Sequence, residues 1–588
     1  MRKIVLLAAV VVVAAATPDT FAGSGDVAAP RPTSEVTVWP TPREVERLGP
    51  DVSVPGEAVV EAGEQISQHT WQIALDALSQ AGVLHQKIIR PGGPIDADAF
   101  LVRFRTDAAV PAEGYVVDVR DSGVSITSSD EAGAFHGAQT LLRLARPGAI
   151  PGVRITDHPS LPVRGIVEGF YGRPWTHAER LDQLRFAAAV KLNAYVYAPK
   201  DDPYHRARWA DPYPSARLAE LGQLADVAAS VQIRFTYALA PGTTICYSDP
   251  AHLHALAAKI GLLHGAGVRS FALPLDDIEY ARWNCPGDLA KYGPPGPAAA
   301  ARAQTDLLNR VQRDVLAGLD GVAPLQTVPT EYSDVADSPY KKAFRENLDE
   351  RVVLMWTGTA IVPAAITADE AAAAGAVWGR KPLVWDNYPV NDYPDAAGRL
   401  LLGPYTGRAA GMGVTGVLSN PMNQACASRG ALFGLADFAW NDTAYDPDRA
   451  LRAHASSLAG GDQRETEALL AFFDLNTRRS PVLARKISDF QIAWNSGDRH
   501  RAVAGLRAYA VTIADAPKLI RDECFAREAR VWLDATERWG RALLAALDGL
   551  DGDRARFAES AKLVAEAGTA VKVGDGVLDR FLALTPGL

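Results

Sequence analysis

The chain has 588 residues, 48% of them hydrophobic and 22% charged, and a formal net charge of −9. That length holds roughly three to four domains, and the balance is that of an ordinary globular protein. The acidic charge, with no long basic run, argues against nucleic acid as a partner.

Residues 1–22 read as a signal peptide. Arg2 and Lys3 precede an apolar stretch, Ile4–Ala16, and Thr20-Phe21-Ala22 offers a small-residue cleavage site. The stretch is short for a bilayer span, and no later segment is apolar enough to cross a membrane. Secretion to the outside of the cell is therefore expected, with no membrane partner. Residues 23–35, rich in Gly, Pro, Ser and Ala, read as a linker.

Residues 36–160 read as a small α+β domain. The run Gly114–Thr127 patterns as a hairpin turning at Asp121-Ser-Gly123, and Ala132–Ala145 as a helix. Residues 161–435 alternate strand and helix. The strand candidates are Gly165–Phe170, Ala194–Ala198, Ile233–Ala238, Ser270–Leu275, Leu325–Pro329, Val352–Trp356, Pro382–Trp385 and Gly416–Leu418. Thr176-His-Ala-Glu179 and Thr367-Ala-Asp-Glu370 are capping boxes that open helices, and Asp249-Pro250 opens another. Short apolar strands alternating with helices imply a parallel sheet covered on both faces, and eight such units match a (β/α)₈ TIM barrel. Residues 436–588 pattern as a helical bundle, with helices expected over Asp446–Ser457, Arg464–Asn476, Pro481–Asn495, His500–Ala516, Phe525–Leu547 and Asp553–Val571. Of the four cysteines, Cys246 and Cys285 fall on loops at one barrel face. A bridge between them and two free thiols are both open.

A barrel carries its site at the C-terminal strand ends. Those ends read Glu168-Gly-Phe-Tyr-Gly-Arg-Pro-Trp175, Pro199-Lys-Asp-Asp202, Ala240-Pro-Gly242, Asp276-Asp277, Thr330-Glu-Tyr332, Trp356-Thr-Gly358, Trp385–Asp392 and Ser419-Asn-Pro-Met-Asn423. Aromatic faces suit sugar C–H groups, and Asp, Asn and Lys suit hydroxyls. Adjacent carboxylates at Asp276-Asp277 repel, so one is expected to hold a proton while the other stays ionised, which is equipment for glycosidic cleavage. The GxGxxG string at Gly411–Gly416 precedes a strand and opens no helix, so it is not read as a dinucleotide site.

The strings RGIVEGFYGRPW, YAPKDDPYHR, LDDI, PTEY, WDNYPVNDY and LSNPMN resemble glycoside hydrolase family 84, across roughly Arg164 to Asn423. That family holds secreted bacterial β-N-acetylglucosaminidases, some labelled hyaluronidases, and the animal O-GlcNAcase. The resemblance implies retaining hydrolysis of terminal β-linked GlcNAc in which the substrate's own acetamido oxygen attacks and forms an oxazoline, without metal or organic cofactor. It implies that Asp276 orients the acetamido N–H and that Asp277, with a raised pKa, is the general acid and then base. Gly169 and Lys200 are implied to contact sugar hydroxyls, Asp392 and Asn420 to hold others, Tyr332 to steer the acetamido oxygen, and Asn387 to seat the acetamido group or its Asp partner. Tyr171, Trp356 and Trp385 would wall the pocket, the two indoles around the acetyl methyl. Asp201 and Asp202 read better as solvated or structural acids, and Glu168 and Glu331 as scaffold acids paired with Lys or Arg. A family 20-type hexosaminidase, an endo-acting hyaluronidase and a non-catalytic glycan-binding protein are the rival readings. An Asp-Asp pair where family 20 uses Asp-Glu speaks against the first. Nothing in the sequence sets the oligomeric state.

Overall fold

The structure is a computed structural model that describes residues 36–95, 99–567 and 571–588. The expected signal peptide and linker lie outside the described residues. Among those residues, no helix is long and apolar enough to cross a membrane.

The first unit is a seven-stranded sheet in the order Glu44–Arg47, Val153–Asp157, Tyr115–Arg120, Gly123–Ser128, Phe100–Thr106, Glu57–Glu61 and His85–Ile89. The expected hairpin is the antiparallel pair Tyr115–Arg120 with Gly123–Ser128. Its far side is parallel, Gly123–Ser128 lying against Phe100–Thr106 and then Glu57–Glu61. Helices Gln68–Gln80 and Glu131–Leu144 cover the sheet; each opens on a side-chain cap, Ser67 or Asp130. Trp440 joins this unit's apolar core, and Arg164, fully buried, reaches across to Glu113 at 2.5 Å.

Eight parallel strands then close a barrel: β1 Val163–Glu168, β2 Ala194–Tyr197, β3 Arg234–Ala238, β4 Ser270–Ala272, β5 Gln326–Thr327, β6 Val353–Trp356, β7 Leu383–Asp386 and β8 Gly416–Ser419. β8 pairs with β1, Gly416 opposite Val163, and the ring has no free edge. Side chains alternate along each strand. Val167, Val196, Met355, Leu383 and Leu418 fill the interior with several alanines, while Ile166, Leu354 and Val384 face the helical ring. Both capping boxes form, at Thr176–Glu179 and Thr367–Glu370.

Helices from Pro447–Leu458 through Leu578–Leu584 form the last unit around their own core. The expected helix Phe525–Leu547 is two, Glu523–Glu528 and Arg530–Leu550, meeting at Ala529. A disulfide, Cys426–Cys524, ties the loop after β8 to this unit. Arg399 pairs with Asp575, and the Trp532 indole donates to Gly398 O at 3.1 Å. The other disulfide, Cys246–Cys285, joins the loops after β3 and β4 and settles the alternative the sequence left open.

Candidate active site

The tips of β1, β7 and β8 are tied together by side-chain amides. The Trp385 indole N–H donates to Asn387 Oδ1 at 2.9 Å, and Asn420 Nδ2 donates to the same oxygen at 2.9 Å. Asn387 Nδ2 in turn donates to Ile361 O, and Asn420 Oδ1 accepts the Gly169 N–H at 3.1 Å. Gly169 is required here: a Cβ at this position would lie 2.7 Å from Trp385 Cη2 and closer still to Cζ2. The indole therefore lies flush against the β1 backbone, pinned by its own hydrogen bond.

The run after β4 stays apolar and buried through Leu275, whose N–H donates to Val328 O at 2.8 Å. It then turns at Asp277, whose φ is +52°. That left-handed backbone costs most residues free energy, but Asp tolerates it. Asp276 forms an ion pair with Lys200, both side chains being 10% exposed or less. Asp277 accepts two phenol protons, from Tyr171 at 2.6 Å on Oδ2 and from Tyr332 at 3.0 Å on Oδ1. The Tyr171 hydroxyl accepts from Arg206 Nη1 at 3.0 Å, and the Tyr171 N–H donates to Asp392 Oδ2 at 2.7 Å.

These donors overturn one expectation. Burial pushes the Asp277 carboxyl up, but the Tyr171 hydrogen bond, the Lys200 charge, the Tyr332 hydrogen bond and the Arg206 charge outweigh it, and the net shift is downward. Asp277 thus carries a lowered pKa in this structure, not a raised one. Burial holds the Asp392 carboxyl above its ordinary value despite the Tyr171 N–H. Burial and the hydrogen bond to Asp277 push the Tyr171 hydroxyl up to about 12, so it remains a proton donor at neutral pH.

Ten of the eleven expected site residues line one cavity of about 290 Å³: Gly169, Tyr171, Lys200, Asp276, Asp277, Tyr332, Trp385, Asn387, Asp392 and Asn420. Trp356 does not. It is fully buried, packs outward with the helical ring, and donates its indole N–H to Asp334 O. Its register explains this: Val353 and Met355 of β6 face the barrel interior, so Trp356 faces away and Thr357 reaches the cavity instead. Lys200 and Tyr332, expected on a ligand, are engaged with Asp276 and Asp277. Thr357, Ile361, Val362, Val390 and Tyr393 also line the cavity and were not singled out. Tyr393 and Val390 fall within WDNYPVNDY and Thr357 within Trp356-Thr-Gly358, whereas Ile361 and Val362 carry no sequence signal.

The scaffold acids sort by partner. Glu168 is fully buried, held by Arg180 at 2.8 Å to each of its two oxygens and by Tyr195. Asp202 is buried under the Tyr197 and Tyr213 hydroxyls, and Asp201 caps the Gly172 N–H. Glu331 accepts the Tyr280 and Ser338 hydroxyls rather than a cation. Asp386, on which no role was placed, is fully buried against Arg408 and Tyr405. Among the described residues, two groupings carry metal-ligand side chains, Cys246–Cys285–Asp288 and Cys426–Cys524–Glu528, but their sulfurs are tied up as disulfides. A second hollow of about 710 Å³ lies between the barrel loops and the helical unit, sharing Val362 and Tyr393 with the first.

A closed parallel barrel that gathers three carboxylates, two amides and aromatic walls around a monosaccharide-sized cavity at its C-terminal face defines a barrel glycoside hydrolase. The family model described as beta-N-acetylglucosaminidase matches residues 164–474, more than half the chain, and one for glycosyl hydrolase family 20, domain 2, matches residues 35–158. The chain belongs to the β-N-acetylglucosaminidase family, glycoside hydrolase family 84. The Protein O-GlcNAcase of Mus musculus is 34% identical to it over 265 residues, 44% of this chain and 28% of that protein. The chain thus spans little more than a quarter of the length of that curated relative. The structure of CpGH84B superposes with a TM-score of 0.81 at 25% identity, covering 94% of this chain and all of that one. A mutant O-GlcNAc hydrolase of Thermobaculum terrenum gives 0.64 at 28% identity, over 72% of this chain and 94% of its own.

Proposed function

We propose that this protein is an exported, retaining exo-β-N-acetylglucosaminidase. It removes terminal β-linked GlcNAc from glycans or glycoconjugates, O-GlcNAc on protein included, with the substrate's acetamido group as nucleophile. The observation that carries this reading is the placing of Asp276 and Asp277, each with its own partners, in one cavity sized for a single sugar.

In the first step the acetamido oxygen attacks C1 while the C1–O bond to the leaving group breaks. The departing oxygen takes the proton of Asp277, and Asp276 accepts the acetamido N–H and balances the positive charge that grows there. In the second step Asp277 takes a proton from water, which adds to C1 and opens the oxazoline, so two inversions retain configuration. This is the substrate-assisted exception to a protein nucleophile. Lys200 fixes Asp276 for its task, and Trp385 and Tyr171 wall the sugar, with Thr357 and Val362 taking the place expected of Trp356. Asp392 and Asn420 hold hydroxyls, Tyr332 steers the acetamido oxygen and Asn387 seats its partner. A cavity of about 290 Å³, at the small end of the ~300–1,000 Å³ ligand-pocket range, supports exo action. Two disulfides support export.

The test is hydrolysis of a chromogenic β-GlcNAc glycoside, with product stereochemistry followed by NMR and inhibition by a thiazoline mimic of the bicyclic intermediate. The expected result is a β-configured product and inhibition far tighter than by free GlcNAc. An α product, or a thiazoline no better than GlcNAc, would sink the mechanism.

A further inference from the structure

Arg206 lies outside the ten cavity residues, yet its partners connect it to the reacting groups. It is half-buried on the segment after β2, its guanidinium 5.7 Å from the Tyr171 ring centroid and its Nη1 donating to the Tyr171 hydroxyl at 3.0 Å. A guanidinium only donates, so the Tyr171 oxygen must accept from it. A phenol has one proton, and with its oxygen held this way that proton is directed at Asp277 Oδ2, 2.6 Å away. From this geometry, and resting on the general-acid reading of Asp277 given above, we infer that Arg206 is a positioning residue. It locks Tyr171 onto the proton-transferring carboxyl and so sets the pH range over which the first step runs.

The charged and titratable groups around Asp277 come from several elements: Tyr171 after β1, Lys200 and Arg206 after β2, Asp276 on its own turn, Tyr332 after β5 and Asp392 after β7. Lys200 is committed to Asp276, and Tyr332 binds the other oxygen, Oδ1. Tyr171 is therefore the donor on Oδ2, and Arg206 is the group that fixes its rotamer. Chained hydrogen bonds polarise one another, so the cation also strengthens the phenol as a donor. Both effects favour the carboxylate over the acid.

The experiment measures kcat/KM against pH for wild type, Arg206→Met, Arg206→Lys and Tyr171→Phe, on β-GlcNAc glycosides of poor and good leaving groups. Losing a donor that favours the carboxylate makes Asp277 hold its proton to higher pH. With the poor leaving group, the alkaline limb of Arg206→Met and Tyr171→Phe therefore moves to higher pH. Activity one pH unit above the wild-type limb, relative to each plateau, rises about threefold. Arg206→Lys, which keeps a cationic donor, keeps the wild-type limb, and the good leaving group shows no alkaline shift in any variant. A folded Arg206→Met enzyme with a lowered plateau but an unmoved limb overturns the inference, because a merely structural role predicts that pattern. Should Arg206→Met fail to fold, an unmoved limb in Tyr171→Phe overturns it equally. Wild type without any β-GlcNAc hydrolysis would instead refute the function on which the inference rests, so the two failures are distinguishable.

Discussion

Gly169→Ala puts the site geometry under direct load. The added Cβ would lie 2.7 Å from Trp385 Cη2 and 3.3 Å from Cε2, nearer still to Cζ2, where carbon pairs settle at about 3.5–4.0 Å. Relief requires the indole to retreat by more than about 1 Å, and its N–H is held by Asn387, which also holds Asn420. The strain is an overpacking of about 1–3 kcal/mol, and the shifted wall misplaces the sugar. A misplacement of that size costs about 100-fold, or about 2.7 kcal/mol of transition-state stabilisation. The assay is kcat/KM on a chromogenic β-GlcNAc glycoside, read beside a thermal melt. Gly261→Ala is the control, since it sits in a helix with nothing within 4 Å of its Cβ and gains helix propensity. A Gly169→Ala enzyme within threefold of wild type would refute the claim that Trp385 packs immovably on the β1 backbone.

Asp277→Asn should abolish most turnover of substrates with poor leaving groups and spare activated aryl glycosides; equal loss on both would count against proton transfer at this position. Cys524→Ser opens a cross-link spanning 98 residues, whose chain-entropy worth is about 4.7 kcal/mol as an upper figure. Its melting temperature should fall below wild type's in non-reducing buffer, and an unchanged melt would refute the cross-link's role. The buried imidazoles of His136, His205 and His454, each lowered by burial to about 4, stay neutral in the fold while the unfolded chain protonates them near 6.5. Unfolding therefore takes up protons in that window, and stability should fall as pH drops from 6.5 to 4. Asp437, raised by burial to about 6, opposes this by one proton. A melting temperature that is flat or rises on acidification would contradict the sign.

The eight barrel strands were legible because a strand buried on both faces needs four or so consecutive apolar residues between helix signals, and each expected strand overlaps an observed one. The Asp-Asp tip was legible for the same reason, since it ends such a run. Orientation was harder to read. Trp356 has the right residue type in the right place, but strand parity turns it outward, and parity needs the inward register of β6 to be known. The lowered pKa of Asp277 was not legible at all: its phenol donors lie 106 and 55 residues away in sequence. The Cys426–Cys524 bond was equally hidden, because nothing local shows that the loop after β8 meets the helical unit. In the first unit, Glu57–Glu61 and His85–Ile89 were missed because glutamates, Gln86 and Lys87 break their apolar alternation.

The partners of the two carboxyls divide their labour on physical grounds alone. Two adjacent like charges alone would share one proton, but here each carboxyl has its own donors. Asp276 faces a cation in a nearly closed setting, with Lys200 4% and Asp276 10% exposed, and removing one member of such a pair costs about 3–5 kcal/mol. Asp277 is held by two neutral phenols, so taking up or giving up its proton separates no direct ion pair. A fixed charge therefore belongs at Asp276, and a carboxyl that gains and loses a proton belongs at Asp277. On the pH plateau, where the pull of the Lys200 charge on the Asp277 carboxyl drops out, Lys200→Met should accordingly lower kcat/KM by two to three orders of magnitude, to the same degree for good and poor leaving groups, because the charge it holds in place serves the acetamido group and not the departing oxygen. A Lys200→Met enzyme that lost activity only toward poor leaving groups would mean that Lys200 serves Asp277, and the division would have to be reversed.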